Sequence, residues 1–187
     1  MDVQPLIDQL TALVPGVELA PAPAADTDIT PALWVSAAHI AQVCRALRDT
    51  PGLEYVAFSN VTAVDHHPKR TPRFDVVYHL VSPHLRTRLR LKVQLDVDQP
   101  IASLTPVFAG AGWCEREVYD LFGIVFDGHD DLRRIMMTDD WEGHPLRKDY
   151  PVQVRKDAQT YMPLQVTAEE FRANMERDRQ SRARSGQ

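Results

Sequence analysis

The stretch from residue 86 to 97, R-T-R-L-R-L-K-V-Q-L-D-V, alternates without a break between two kinds of side chain. Arg86, Arg88, Arg90, Lys92, Gln94 and Asp96 fall on one side of an extended chain. Thr87, Leu89, Leu91, Val93, Leu95 and Val97 fall on the other. Successive side chains of a strand point to opposite faces, so the run predicts a strand in a sheet with one wet face and one covered face. Two further runs rich in β-formers, 54–65 and 73–82, supply neighbours, and the turn-rich HHPKRTP sits between them. L-W-V-S at 33–36 predicts a short strand. Ser36 is then placed to N-cap a helix over 37–49, where Ile40, Val43, Cys44 and Leu47 form one apolar stripe and Pro51-Gly52 follows as a stop. Leu6, Leu10 and Leu13 predict an earlier helix over 5–14, stopped at Pro15-Gly16. The Pro- and Ala-rich segment 20–28 reads as a loop. The expectation for residues 1–110 is an α+β domain: a small antiparallel or mixed sheet covered by helices.

Beyond residue 100 the pattern changes. Thr105 before Pro106 reads as the N-cap of a helix with proline in its first turn. A helical run from near Trp113 ends at Gly123, the expected left-handed stop. Residues 124–165 show no sustained period, and Pro145, Pro151 and Pro163 exclude long regular elements. A stretch of that length is unusual inside a compact domain, so residues 111–165 read as a helix followed by an extended docking arm. Residues 166–187 form a charged helix or tail, with Thr167 and Glu170 as a capping box.

Composition excludes several classes. Lys and Arg number 21 against 26 Asp and Glu, a net charge of −5, which argues against a nucleic-acid binder. No apolar run approaches the roughly 18 residues of a membrane span. The first ten residues carry two acids and no base, unlike a secretory signal. Two cysteines, Cys44 and Cys114, suggest a reducing compartment and cannot supply the four thiolates of an ordinary iron–sulfur cluster.

Chemistry concentrates in the run G-W-C-E-R-E-V-Y-D-L-F-G-I. Val118, Leu121, Phe122 and Val125 lie at i, i+3, i+4 and i+7 and predict the core face. Glu117 and Asp120, three apart, share a neighbouring face, and Arg116 is placed to pair with Asp120. Paired acids suggest acid–base chemistry or a metal-dependent hydrolase using Glu117, Asp120 and His129, widened by Glu115, Asp130, Asp131 and His144. Against this, the histidines lack the i, i+4 spacing of H-E-x-x-H, and no nucleophile elbow or phosphate loop is present. Cys114 reads as a small buried hydrophobe. Residues 113–151 hold ten acids and five bases. Exposed ion pairs contribute only about 0–1 kcal/mol each. Pairs desolvated at an interface matter more, since truncating one partner costs about 2–5 kcal/mol. The protein-contact reading is therefore preferred, with Arg133 and Arg134 reaching back to the acids.

The segment E-R-E-V-Y-D-L-F-G-I-V-F-D-G-H-D-D-L-R-R-I-M-M, followed by D-D-W-E-G-H-P-L-R-K-D-Y-P, resembles the C subunit of bacterial NADH–quinone oxidoreductase, the respiratory complex I, and the matching mitochondrial subunit. Glu115, Arg116, Glu117, Asp120, Leu121, Phe122, His129, Arg133, Ile135 and Met136 fit that family's signature. Asp130 departs from it, standing where the family more often has proline. The resemblance implies a structural and assembly subunit that binds no cofactor, with FMN and iron–sulfur clusters held by partners. It implies a place in the proton-pumping complex, peripheral to the cell membrane on its cytoplasmic side. The partners would be the quinone-binding D subunit and the cluster-bearing neighbours. Glu117, Asp120, Arg133, Arg134 and Arg147 would position the docking segment. Trp113, Phe122, Trp141 and Tyr150 would serve as apolar anchors or as intrachain core. His129 and His144 would be hydrogen-bonded turn residues. The alternative is the equivalent subunit of a membrane-bound hydrogenase or another quinone-reducing complex.

Overall fold

Leu89, Leu91, Val93 and Leu95 are all completely buried, as their alternation requires. The structure is a computed structural model that describes residues 3–23 and 30–151, together with Glu169, Arg172, Ala173, Met175 and Glu176 of the tail. Its elements run α1 (Gln4–Leu13), β1 (Leu19–Pro21), β2 (Ala32–Val35), α2 (Ile40–Asp49), β3 (Ala57–Asp65), β4 (Phe74–Ser82), β5 (Thr87–Leu95), β6 (Ile101–Ala102), α3 (Ala111–Phe122) and β7 (Phe126–Asp127). Five strands form a sheet in the order β1-β2-β5-β4-β3, and β6 pairs with β7 in a separate small ladder. Only the β2–β5 pairing is parallel within the large sheet, so the sheet is mixed. The fold is α+β, as expected.

Register aligns the apolar rows. Phe74 faces Leu95, Val76 faces Val93, Tyr78 faces Leu91 and Leu80 faces Leu89. Val61 and Ala63 of β3 continue the same rows beside Tyr78 and Val76. Ile40, Val43, Cys44 and Leu47 of α2 join them in a single apolar cluster. Ile7 and Leu10 of α1, and Val118 and Phe122 of α3, belong to that cluster too. Burying each such aliphatic side chain contributes about 1.5–3 kcal/mol, which makes this sandwich the source of the fold's stability.

Local expectations fail where a polar side chain finds a better partner. Val97 is 46% exposed because β5 ends at Leu95 and the chain turns through Asp98, at φ 61°. Ser36 does not cap a backbone N–H: its hydroxyl bonds Nδ1 of His39 at 2.8 Å, and a short 3-10 turn over Ala37–His39 precedes α2. No helix begins at Thr105. Its hydroxyl bonds that of Ser103 at 2.8 Å, and the chain makes a single turn closed by Phe108 N–H on the Leu104 carbonyl.

Residues Met1–Pro151 form one compact unit and Val152–Gln187 a second. The segment from 111 to 151 thus belongs to the same unit as the sheet. In the second unit, residues 169, 172, 173, 175 and 176 are helical. The capping box expected at Thr167 and Glu170 lies outside the described residues, as does the part of the expected arm beyond Pro151. No helix among the described residues is long and apolar enough to cross a membrane.

Candidate functional site

Helix α3 packs against β3 and carries its buried side chains as Ala111, Glu115, Val118, Asp120 and Phe122. Four of these, 111, 115, 118 and 122, make one helical stripe, so a carboxyl group sits where the pattern calls for an apolar residue. Glu115 is fully buried. It accepts hydrogen bonds from the Ser103 hydroxyl at 2.6 Å and the Leu104 N–H at 2.7 Å. Burial pushes its pKa above the ordinary value, and the two hydrogen bonds only partly offset that. Burial first, and the neighbouring Glu115 second, raise the pKa of the fully buried Cys44 thiol and Tyr78 hydroxyl. Glu115 therefore ties the 103–105 turn to α3 through the core.

Asp120 is the second fully buried acid. Its Oδ1 receives the Arg134 guanidinium at 2.6 Å. Its Oδ2 receives three consecutive backbone N–H groups, Ile135 at 3.0 Å, Met136 at 2.7 Å and Met137 at 2.8 Å. Burial alone would raise its pKa, but four donors outweigh burial and hold it below the usual carboxylate range. The carboxylate thus organises a backbone turn around itself.

The end of α3 is closed by the following segment. A helix leaves its last carbonyls without intrahelical partners. Here the Asp120 carbonyl accepts from His144 Nδ1 at 2.9 Å, Leu121 from the Leu146 N–H at 3.0 Å, and Phe122 from Arg147 Nε at 2.5 Å. An arginine at a helix C-terminus also opposes the negative end of the dipole. Gly123 adopts φ 74°, and a Cβ there would lie 2.5 Å from the His144 ring and 2.6 Å from Arg147. Glycine is required both by the left-handed backbone and by the approach of the two capping side chains.

A third anchor was not anticipated from the sequence. Asp65, at the end of β3, receives Arg73 in bidentate fashion at 2.9 and 2.7 Å, and the Lys148 N–H at 2.8 Å. Arg73 also reaches both oxygens of Asp149, at 3.0 and 2.7 Å. Arg147 stacks on the Phe74 ring at 5.6 Å. The only sequence signal for this cluster is an Asp and an Arg flanking the turn between two strands; Asp149, 76 residues beyond Arg73, gives no local hint. Through these contacts, and through the β6–β7 pairing, the aperiodic segment 124–151 is fastened to its own chain. That portion of the expected arm is thus held against the rest of its own chain as far as Pro151.

The remaining signature residues separate into two groups. Arg116 does not pair with Asp120: its guanidinium donates to the carbonyls of Arg133 at 3.0 Å and Arg134 at 3.2 Å, and lies over the Trp113 ring at 5.2 Å. His129 accepts from the Asp131 N–H at Nδ1, which leaves Nε2–H to donate to the Gly112 carbonyl at 3.1 Å. Leu121 packs at the margin of the core, Phe122 is buried, and Trp141 is half-buried. Tyr150 lays its ring over Gly143, where a Cβ would meet it at 2.9 Å. By contrast, Glu117 is exposed, so it does not share a working face with buried Asp120. Arg133 pairs with Asp131, in solvent, at 2.5 Å. Val125, expected in the core, is 44% exposed. Among the described residues, Trp113 and Met136 are the most exposed large apolar side chains, at 67% and 62%. Among the described residues no group of three or more His, Cys, Asp or Glu side chains is placed to hold a metal ion.

Residues 33–156 match the family described as respiratory-chain NADH dehydrogenase, 30 Kd subunit. The chain belongs to that family. It is similar to the C subunit of the NADH-quinone oxidoreductase of Saccharopolyspora erythraea, with 49% identity over 120 residues, 64% of this chain and 48% of that protein. The match therefore spans about half the length of that relative. The corresponding C subunit of Rhodopseudomonas palustris strain BisB18 is 45% identical over 148 residues, 75% of this chain and 73% of that one. Among solved structures, the trypsin-resistant fragment of Nqo5 superposes with a TM-score of 0.52 at 27% identity, covering 71% of this chain and 100% of the fragment. A chain of the archaeal membrane-bound sulfane sulfur reductase superposes with a TM-score of 0.62 at 25% identity, covering 80% of this chain and 85% of that one. Family membership thus rests on sequence, and the shared fold extends to a second kind of respiratory membrane complex.

Proposed function

We propose that this chain is a non-redox structural and assembly subunit in the peripheral arm of a proton-pumping NADH–quinone oxidoreductase. In this reading the complex passes electrons from NADH through FMN and iron–sulfur clusters to quinone. The redox groups belong to partner subunits, and this chain docks chiefly on the D subunit from the cytoplasmic side of the membrane. The observation that carries the reading is the division of labour around α3. Glu115, Asp120, His129, His144 and Arg147, the groups that could otherwise do chemistry, hold backbone in place. What the clamp turns outward is Trp113, Met136, Leu146 and Val125. Large apolar side chains left in water beside a rigid polar frame favour a protein contact, with tryptophan a frequent centre of binding energy.

A second reading, the equivalent subunit of a related complex that does not take NADH, is favoured by the similarity to the sulfane sulfur reductase chain. Purification of the tagged chain from native membranes separates the two. Co-purification of flavin-bearing, NADH-oxidising subunits with NADH:quinone activity supports the first. Recovery in a complex without them supports the second. Recovery of the chain alone contradicts both.

A further inference from the structure

Trp113 stands exposed on α3 among charged groups that are unevenly spent. Glu117 is one helical turn further on and shares its face. Arg116 lies over the Trp113 ring, but its N–H groups turn inward to the carbonyls of Arg133 and Arg134. That clasp lays residues 133–137 along α3, and the Met136 N–H is fixed there on Asp120. On the other flank, the bond from His129 to the Gly112 carbonyl brings exposed Asp130 to the start of the helix. Asp131 lies between two guanidinium groups, 2.5 Å from Arg133 and 4.0 Å from Arg116. Exposed Asp139 also acts on Arg133. Four carboxylates, Glu117, Asp130, Asp131 and Asp139, thus stand against two guanidinium groups. Arg133 is spent on Asp131, and Arg116 on main chain. The carboxylates of Glu117 and Asp130 hold no hydrogen bond or ion pair among the described residues.

Unspent negative charge around an apolar pair selects among occupants. An anionic membrane surface would be repelled. So would a second copy of a chain whose net charge is −5. We propose that the rim at Trp113 and Met136 receives a basic segment of a sister subunit, in which Lys or Arg side chains flank an apolar residue. The apolar residue packs on Trp113 and Met136, and the cations meet Glu117 and Asp130. Complementary charge of this kind sets the orientation and speed of docking more than its strength. The inference rests on the reading of the chain as a subunit that docks through this rim.

The test is photo-crosslinking in the assembled complex. Trp113→p-benzoylphenylalanine keeps a large apolar ring at the centre of the rim. The complex is purified from membranes through a tag on this chain and irradiated, and the crosslinked peptide is sequenced. The proposal expects an adduct to a sister-subunit peptide with more Lys and Arg than Asp and Glu. Glu117→Lys and Asp130→Lys are then added together; both positions are exposed, so the core is untouched. The yield of adduct at low salt should fall about tenfold or more. An adduct to an acidic or neutral peptide, to lipid or to a second copy of this chain overturns the proposal. So does a yield that the two lysines leave unchanged, and so does an assembled complex that gives no adduct from position 113. In each of these cases the chain is still a subunit. Recovery of the chain without partners contradicts the subunit reading itself, and the proposal with it.

Discussion

Glu115 and Asp120 are both fully buried carboxyls on one helix, yet their surroundings move them in opposite directions. Asp120 has a folded pKa below its unfolded one. Its stabilisation is present above the ordinary carboxylate range and is lost as pH falls through the folded value. Asp65, lowered by Arg73 and by backbone donors in spite of burial, adds to the same acid loss. Glu115 has a folded pKa above its unfolded one. Its contribution is fully present below the unfolded value and declines as pH rises through the folded value. Glu115→Gln keeps an acceptor for Leu104 N–H and a donor for Ser103 while removing the buried charge. Thermal unfolding of this variant should show a stability advantage over the parent that grows between weakly acid and neutral pH. A constant difference would contradict the assignment. Asp120→Asn turns an amide against a ring of donors. It should cost about 3–5 kcal/mol, the penalty for breaking a buried charge pair, and should flatten the acid limb of the unfolding profile.

At the scale of elements, the junction of α3 with the chain that follows is the feature on which the site depends. Gly123→Ala imposes about 1–2 kcal/mol of left-handed strain and drives a methyl group into the His144 ring. The variant should lose more than the strain alone, with residues 144–150 becoming exchange-labile while the sheet amides stay protected. Exchange spread evenly over the unit would show that the segment is not fastened separately. Much of this scale was legible beforehand. The alternation of β5, the stripe of α2 and the glycine stop of α3 are local patterns, and each lies within a residue or two of its predicted place. What the sequence concealed is long-range. Asp65 finds the Lys148 N–H across 83 positions, Arg73 finds Asp149 across 76, and Asp120 gathers the N–H groups of three residues that have no pattern of their own. Backbone donors carry no side-chain signature, so the acids of the signature read as ion-pair partners when most of their bonds are to main chain.

For the whole molecule, the same long-range bonds decide how the segment after α3 is held. A run with no period of its own is held to its own chain by buried carboxylates, Asp120 and Asp65, through backbone N–H groups that leave no mark in the sequence. The resulting unit has an apolar rim at Trp113 and Met136. Arg133→Ala, which removes only a solvent-exposed pair with Asp131, should leave both folding and assembly unchanged on a native gel; a loss of complex would place that side chain in the interface. Trp113→Ala combined with Met136→Ala should leave the melting temperature of the isolated chain within a few degrees of the parent, because neither side chain is part of the core. The decisive measurement is the amount of intact, NADH-oxidising complex that this double variant supports on a native gel of membranes. A drop of about tenfold or more, as expected for removing two interface anchors, is the predicted result. Wild-type levels of active complex would contradict the account.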